Sequence, residues 1–218
     1  MSIPRGKLIL IEGLDRSGKS TQCDRLTASL GANTVLVKFP DRTTPIGHQI
    51  NAYLTSSSDA KNDSLESMHL LFSANRWELA STIKSHLAAG RDVVLDRYVY
   101  SGIAYSYVAS RASPDRQPLS LDWLQAPDLG LLKPDIFFFL NVSEEEQVRR
   151  AGFGEERYEK REFQRSVADI FHKILPKGDE TFHLIDADNS LDTISNVIYE
   201  TVAAASQPGD FQYYTKIV

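Results

Sequence analysis

The run Gly13-Leu14-Asp15-Arg16-Ser17-Gly18-Lys19-Ser20 follows the apolar stretch Leu8-Ile9-Leu10-Ile11-Glu12 directly. It fits the spacing G-x-x-x-x-G-K-[ST] at every fixed position, between a candidate strand and a candidate helix. Gly13 and Gly18 let the backbone wrap tightly, so that successive N–H groups converge on an anion. The positive end of the next helix adds to that field. Lys19 is placed to reach the outer phosphates of a nucleotide, and the Ser20 hydroxyl to help hold a magnesium ion. The chemistry implied is nucleotide binding and phosphoryl transfer. A Gly-rich turn that binds nothing is the alternative, and the strand–loop–helix setting speaks against it.

Four further clusters choose the acceptor. Asp96-Arg97-Tyr98 ends a strand at the carboxyl edge, where open α/β sheets bind ligands. Asp96 there can organise the magnesium shell through water, and Arg97 can bind transferring phosphates; the plain alternative is a strand-capping ion pair. Phe39-Pro40-Asp41-Arg42 ends another strand, and Arg42 offers a guanidinium fork to a phosphate or is simply a surface arginine. In Leu71-Phe72-Ser73-Ala74-Asn75-Arg76-Trp77, Phe72 and Arg76 are one helical turn apart and share a face. Together they can stack on and hydrogen-bond a base, or they form a core edge with a snorkelling arginine. Gly152-Phe153-Gly154-Glu155-Glu156-Arg157-Tyr158 is a glycine-rich charged break suited to a lid or to a plain helix connection.

The elements that position these groups alternate short apolar runs with amphipathic stretches, which implies βα units around a parallel sheet. The strands are expected at Lys7–Glu12, Thr34–Phe39, Asp92–Asp96, Ile136–Val142 and Phe182–Asp186. Helices are expected at Lys19–Leu30, Pro45–Leu54, Ser64–Ala89, Ser143–Arg150, Glu159–Ile174 and Ser190–Ala205. Gly31 and Gly90 stop two of them, and Ser143 and Ser190 look like N-caps. Ser110–Pro118, rich in proline, serine and arginine, is expected as a solvent loop. No repeat, low-complexity tract or interdomain linker is visible, so one domain over residues 1–218 is expected, with a lid at about 150–160.

Composition bounds the rest. The chain has 218 residues, 42% of them hydrophobic and 24% charged, as expected for a soluble globular protein. The net charge of −5 argues against a general nucleic-acid coat. One cysteine, Cys23, cannot form an intrachain disulfide and suits a reducing compartment, with packing as its role. No apolar run reaches membrane-span length and no signal-peptide core precedes the first strand, so the expected address is the cytosol, with a nuclear fraction left open. The guanine-reading tetrapeptide Asn-Lys-x-Asp of regulatory GTPases is absent, and the size favours a small nucleotide or nucleoside kinase.

The ordered motifs G-x-D-R-x-G-K-S-T, F-P-D-R, L-F-S-A-N-R-W-E, D-R-Y-x-x-S-G, K-P-D and G-F-G-x-E-R-Y-E together resemble the thymidylate kinases, P-loop nucleoside-monophosphate kinases. The resemblance runs from about Arg5 to about Asp188 and, with Arg16 in the loop, is to the eukaryotic type. It implies a three-layer α/β fold, a parallel five-stranded sheet flanked by helices with a small lid. It implies transfer of the γ-phosphate of Mg-ATP to dTMP, giving dTDP on the way to dTTP, by a cytoplasmic homodimer without nucleic-acid or membrane partners.

Residue by residue, the resemblance makes Arg16 the clamp on the transferring phosphoryl group, with Lys19, Asp96 and Arg97 as the other catalytic groups. ATP falls to Gly13, Leu14, Asp15, Arg16, Ser17, Gly18, Lys19, Ser20 and Thr21, with Arg150 stacked on adenine. For dTMP, Asp15 takes the 3′-hydroxyl and Arg42 and Arg97 the phosphate. Phe39 and Gly102 line its site, Phe72 stacks on the base, and Arg76 binds the base's carbonyl edge. Tyr105 crowds the ribose 2′ position and Tyr158 packs near the sugar. Ser20 and Asp96 hold magnesium. Ser106, where many bacterial members carry Gln, is given no base contact, and Ser110–Pro118 is longer than in some relatives. The rivals are a deoxynucleoside kinase with Asp41 as general base, and a non-catalytic nucleotide-binding regulator.

Overall fold

The computed structural model describes residues 4–55, 64–112, 117–150, 158 and 161–218. Five strands form one parallel sheet: β1 (Leu8–Gly13), β2 (Thr34–Lys38), β3 (Asp92–Asp96), β4 (Ile136–Asn141) and β5 (Phe182–Asp186). Their order across the sheet is β2-β3-β1-β4-β5. β1 is buried along its whole length, as a central parallel strand covered on both faces must be. The register aligns the strand ends. Ile11 pairs with Asp96 and Lys38 with Asp96, so β1, β2 and β3 end together. Arg97 N–H donates to Ile11 O at 3.1 Å and Phe39 N–H to Asp96 O at 2.9 Å, which ties the three exits to one edge.

The helices are α1 (Lys19–Leu30), α2 (Pro45–Thr55), α3 (Leu65–Ala88), α4 (Val99–Ala109), α5 (Leu121–Gln125), α6 (Glu144–Arg149), α7 (Arg161–Ile174) and α8 (Leu191–Ala204). α1 packs with α8, and α4 with α3, α5 and α7, so two helical groups flank the sheet. Ser64, Ser143 and Ser190 cap α3, α6 and α8, each accepting a bond from the N–H three residues on. Gly31 (φ 88°) and Gly90 (φ 78°) take positive φ just past the ends of α1 and α3, which suits glycine. The expected Glu159 start of α7 and most of the expected lid, residues 151–157, lie outside the described residues. So do residues 113–116 of the expected loop; its described ends are joined by Leu119 N–H donating to Ser110 Oγ.

The structure corrects the sequence expectation at α4. The sequence marks no helix there, because its residues show no amphipathic stripe: Val99, Tyr100, Ile103, Ala104 and Val108 are all buried. Its N-cap, Tyr98, also makes no side-chain cap bond. The cap comes from β1. The fully buried Glu12 carboxylate accepts from Tyr98 N (2.8 Å), Ser101 N (3.0 Å) and Ser101 Oγ (2.6 Å). A carboxylate at a helix N-terminus satisfies its free N–H groups and opposes its dipole. The short α5 and the 3-10 turn Ala126–Asp128 behind it are likewise additions to the expected elements.

Cys23, inside α1, is fully buried, and burial pushes its thiol well above the usual range. The C-terminal segment packs on the core: Tyr214 is 4% exposed and lies against Tyr98 and Tyr100. Among the described residues no helix is long and apolar enough to cross a membrane.

Candidate active site

The loop from β1 to α1 has the geometry of an anion cradle. At Gly13 (φ 153°) a Cβ would fall 2.7 Å from Leu140 O and 2.7 Å from Ser17 Oγ, so only glycine fits. Gly18 (φ 91°) precedes α1 and supplies no side-chain cap, leaving the helix N–H groups to a ligand. Lys19 folds back inside the loop, its Nζ donating to Leu14 O. Burial pushes the Lys19 ammonium down, Arg97 adds to that, and Asp15, Asp96 and Glu12 pull it back, leaving it at about 8. Ser20 Oγ donates to Asp96 Oδ2 at 2.6 Å, bringing a hydroxyl and a carboxylate together where loop and β3 meet. Ser20 and Thr21 are exposed at the mouth. Arg16 is in the left-handed region (φ 65°), uncommon for a residue with a side chain and frequent at functional sites. Its guanidinium donates to Arg150 O at 3.1 Å, and that of Arg150 donates back to Arg16 O at 3.1 Å. Arg150 is held further by Glu146 and by Ala187 O, which plants it beside the loop near Gly18.

A cleft opens from this loop across β2, β3, α3 and α4, lined by Asp15, Phe39, Arg42, Phe72, Arg76 and Arg97, with Gly102, Tyr105 and Tyr158 further along. Arg97 also has positive φ (68°). Its guanidinium pairs with the Asp15 carboxylate, donates to Gly13 O (3.2 Å) and Ser101 Oγ (2.9 Å), and lies over the Tyr105 ring. Burial raises the Asp15 carboxyl, but Arg97 and Lys19 outweigh it, and the net shift is downward, so Asp15 is ionised. Gln164 Nε2 donates to Asp15 Oδ2 (2.7 Å) and to Tyr158 O (2.9 Å). The Tyr158 ring stacks on Phe163 and its hydroxyl meets that of Tyr53 at 2.7 Å. Arg42 is exposed at the rim, with Nη1 donating to Asn51 Oδ1.

Arg76 does not snorkel. It is 3% exposed and paired through Nε (3.0 Å) and Nη2 (2.6 Å) with the fully buried Asp128. A Cβ on Gly102 would come within 2.8 Å of that guanidinium, so glycine here makes room for the arginine. Asp41 is turned away: its carboxylate accepts from Thr43 N and Thr43 Oγ1, an Asx turn, and it does not line the cleft.

Three residues central to this arrangement escaped the sequence expectation. Glu12 did carry a signal, a charge closing an otherwise apolar strand. Gln164 did too, as a polar residue in line with the buried stripe Val167, Ile170, Phe171 and Ile174 of α7. Asp128 carried none, since its partner lies 52 positions away.

The thymidylate kinase family model matches residues 11–198. The chain belongs to the thymidylate kinase family. It is 42% identical to the thymidylate kinase of Arabidopsis thaliana, over 91% of this chain and 72% of that one. It is 39% identical to that of Homo sapiens, over 89% of this chain and 88% of that one. The solved thymidylate kinase of Candida albicans superposes with a TM-score of 0.89 at 42% identity, covering 97% of this chain and 99% of that one. The family is one of ATP-dependent phosphotransferases, and the chain's activity is phosphorylation of dTMP; neither the nucleoside kinase nor the regulatory alternative is favoured.

Proposed function

We propose that the cleft is the dTMP site and the loop the ATP site of a single reaction. The observation that carries this is Arg97, which touches both: it bonds Gly13 O in the loop and lines the cleft. A cleft with Arg97 and Arg42 suits an acceptor that already bears a phosphate. Its oxygen is then a ready nucleophile, and catalysis is alignment and charge stabilisation rather than proton abstraction. Asp41, held in its turn, is not placed to serve as a base for a 5′-hydroxyl.

Arg16 and Lys19 face the transferring phosphoryl group and stabilise charge that spreads over its oxygens in the transition state. Asp15 accepts from the sugar 3′-hydroxyl and shares Arg97 with the acceptor phosphate. Phe72 stacks on thymine, and Arg76, gripped by Asp128, presents its remaining edge to the base carbonyls. Phe39 lines the same cleft. Tyr105 excludes a 2′-hydroxyl, and Tyr158 closes the sugar side. Arg150 packs on adenine. Ser20 and Asp96, a hydroxyl and a carboxylate, are oxygen donors of the kind magnesium prefers. No group of three or more His, Cys, Asp or Glu that could hold a metal ion occurs among the described residues. A magnesium ion held at Ser20 and Asp96 would supply positive charge to offset that of the nucleotide phosphates.

We place the enzyme in the cytosol as a single-domain homodimer with a lid near residues 150–160. The exposed Leu70 and Trp77 on α3, with Trp123 against His69 of the same helix, support a subunit contact on that face. The test is ADP release with Mg-ATP across dTMP, dUMP, UMP, dGMP, dCMP, AMP and thymidine. Preference for dTMP with thymidine inert is expected; turnover of thymidine but not dTMP would reverse the roles given to Arg42 and Arg97.

A further inference from the structure

The C-terminal tail reaches the acceptor pocket through the segment that carries Asp128. Tail and segment are joined on both sides of that acid. Upstream, the Gln125 side-chain oxygen accepts from Ile217 N (2.9 Å) and Val218 N (3.2 Å). Downstream, Gly130 N donates to Tyr214 O (2.8 Å), Tyr214 N to Leu131 O (2.9 Å) and Lys133 N to Gln212 O (2.8 Å). Between these clamps lies the 3-10 turn, where Asp128 Oδ1 takes bonds from Arg76 Nε (3.0 Å) and Ser73 Oγ (2.7 Å), and Oδ2 from Arg76 Nη2 (2.6 Å). The turn is short and its own helical bonds are few, so its position is set by what it is tied to. The buried Tyr214 ring also rests on Tyr98, the neighbour of Arg97.

We infer that the tail Phe211–Val218 is a positioning element for base recognition: it holds the Asp128 turn, Asp128 holds Arg76, and Arg76 meets the carbonyl edge of the acceptor's pyrimidine. The inference rests on the assignment of the cleft to dTMP. It makes acceptor affinity depend on residues far from the substrate, while none of the tail bonds named above runs to the phosphate loop itself. An arginine displaced by a fraction of an ångström loses bonds that need narrow geometry, which weakens substrate binding without removing any group from the chemical step.

The experiment compares Gln125→Ala, Tyr214→Ala, Tyr214→Phe and a chain ending at Gln212 with the parent and with Arg76→Ala. Steady-state kinetics in dTMP and in ATP are measured beside melting temperature. Gln125→Ala and Tyr214→Ala are expected to raise KM for dTMP about tenfold, with kcat and the KM for ATP within about twofold. Tyr214→Phe keeps the ring on Tyr98 and is expected to stay near the parent. Gln125→Ala removes one clamp but keeps the full chain, so the outcome does not hang on whether the truncated chain folds. If Arg76→Ala raises the dTMP KM while Gln125→Ala and Tyr214→Ala lower only the melting temperature, the tail is a stability element and the inference fails. A rise shared equally by dTMP and ATP overturns it as well. If Arg76→Ala itself leaves the dTMP KM unchanged, the assignment of the cleft has failed instead.

Discussion

The proposed phosphate loop and acceptor cleft share an edge of the sheet but are built differently. The loop is one contiguous segment shaped by Gly13 and Gly18, and in its proposed role it meets a ligand largely through backbone N–H groups. The cleft is assembled from side chains just past the ends of β1, β2 and β3, on α2, α3 and α4, and at Tyr158, and its central groups are held by further residues. Glu12 fixes the start of α4, Asp128 fixes Arg76, and Gln164 fixes Asp15. Backbone recognition tolerates a short motif. Side-chain recognition needs a supporting shell, and that shell is spread across the whole sequence.

The difference predicts that loop variants lose rate whereas cleft variants lose affinity and stability together. The largest effect is expected for Arg16→Ala: kcat should fall about a thousandfold or more, the scale of an arginine finger, with melting and dTMP affinity nearly unchanged. Near-normal kcat would remove Arg16 from the transition state. Asp128→Ala should instead destabilise the fold by about 3–5 kcal/mol, because it strands the buried Arg76 charge. Urea unfolding measures this, and a loss below about 1 kcal/mol would mean that Arg76 finds other partners.

A third effect is pH-dependent and confined to the cleft side. His69 lies between Ser106 Oγ and Leu124 O, and burial, helped by the Arg76 charge, pushes it from 6.5 down to about 4. The folded state therefore holds the neutral ring while the unfolded chain protonates first. Its contribution is fully present above pH 6.5 and is lost as pH falls toward 4, roughly 3 kcal/mol in all. The gap between the unfolding free energies of the parent and His69→Gln should change by about that total between pH 7 and 4; parallel curves would show that His69 titrates normally in the fold. The smallest expected effect is that of Tyr105→Ala. It should relax discrimination against the ribose counterpart of dTMP by about tenfold, read as a ratio of kcat/KM values. An unchanged ratio would place the sugar selection elsewhere.

The same contrast explains what could be read from the sequence. β3, β5 and α1 fall on the expected residues, because short apolar runs and the glycine stops mark them unambiguously. The tight turns at Gly13 and Gly18 lie where the local motif placed them. α4 was not legible, since a helix buried on most sides has no polar face to give it a period, and its cap lies on another strand. The cleft residues Arg76 and Arg97 were visible through local motifs, but what orients them was not: the Arg76–Asp128 and Gln164–Asp15 bonds span 52 and 149 positions. Only the fold brings such partners together, and nothing in either local segment announces the other.

The burial of Cys23 gives the enzyme a silent background for thiol chemistry. The chain has 1 cysteine, and it sits wholly inside α1 with its proton held tightly. Maleimides are electrophiles that thiolates attack, so the native enzyme should resist them, and any slow labelling would clock the opening of the sheet core itself. A fluorophore attached through a cysteine substituted at exposed Leu184 would then report from one known place, with no need to delete the native thiol first.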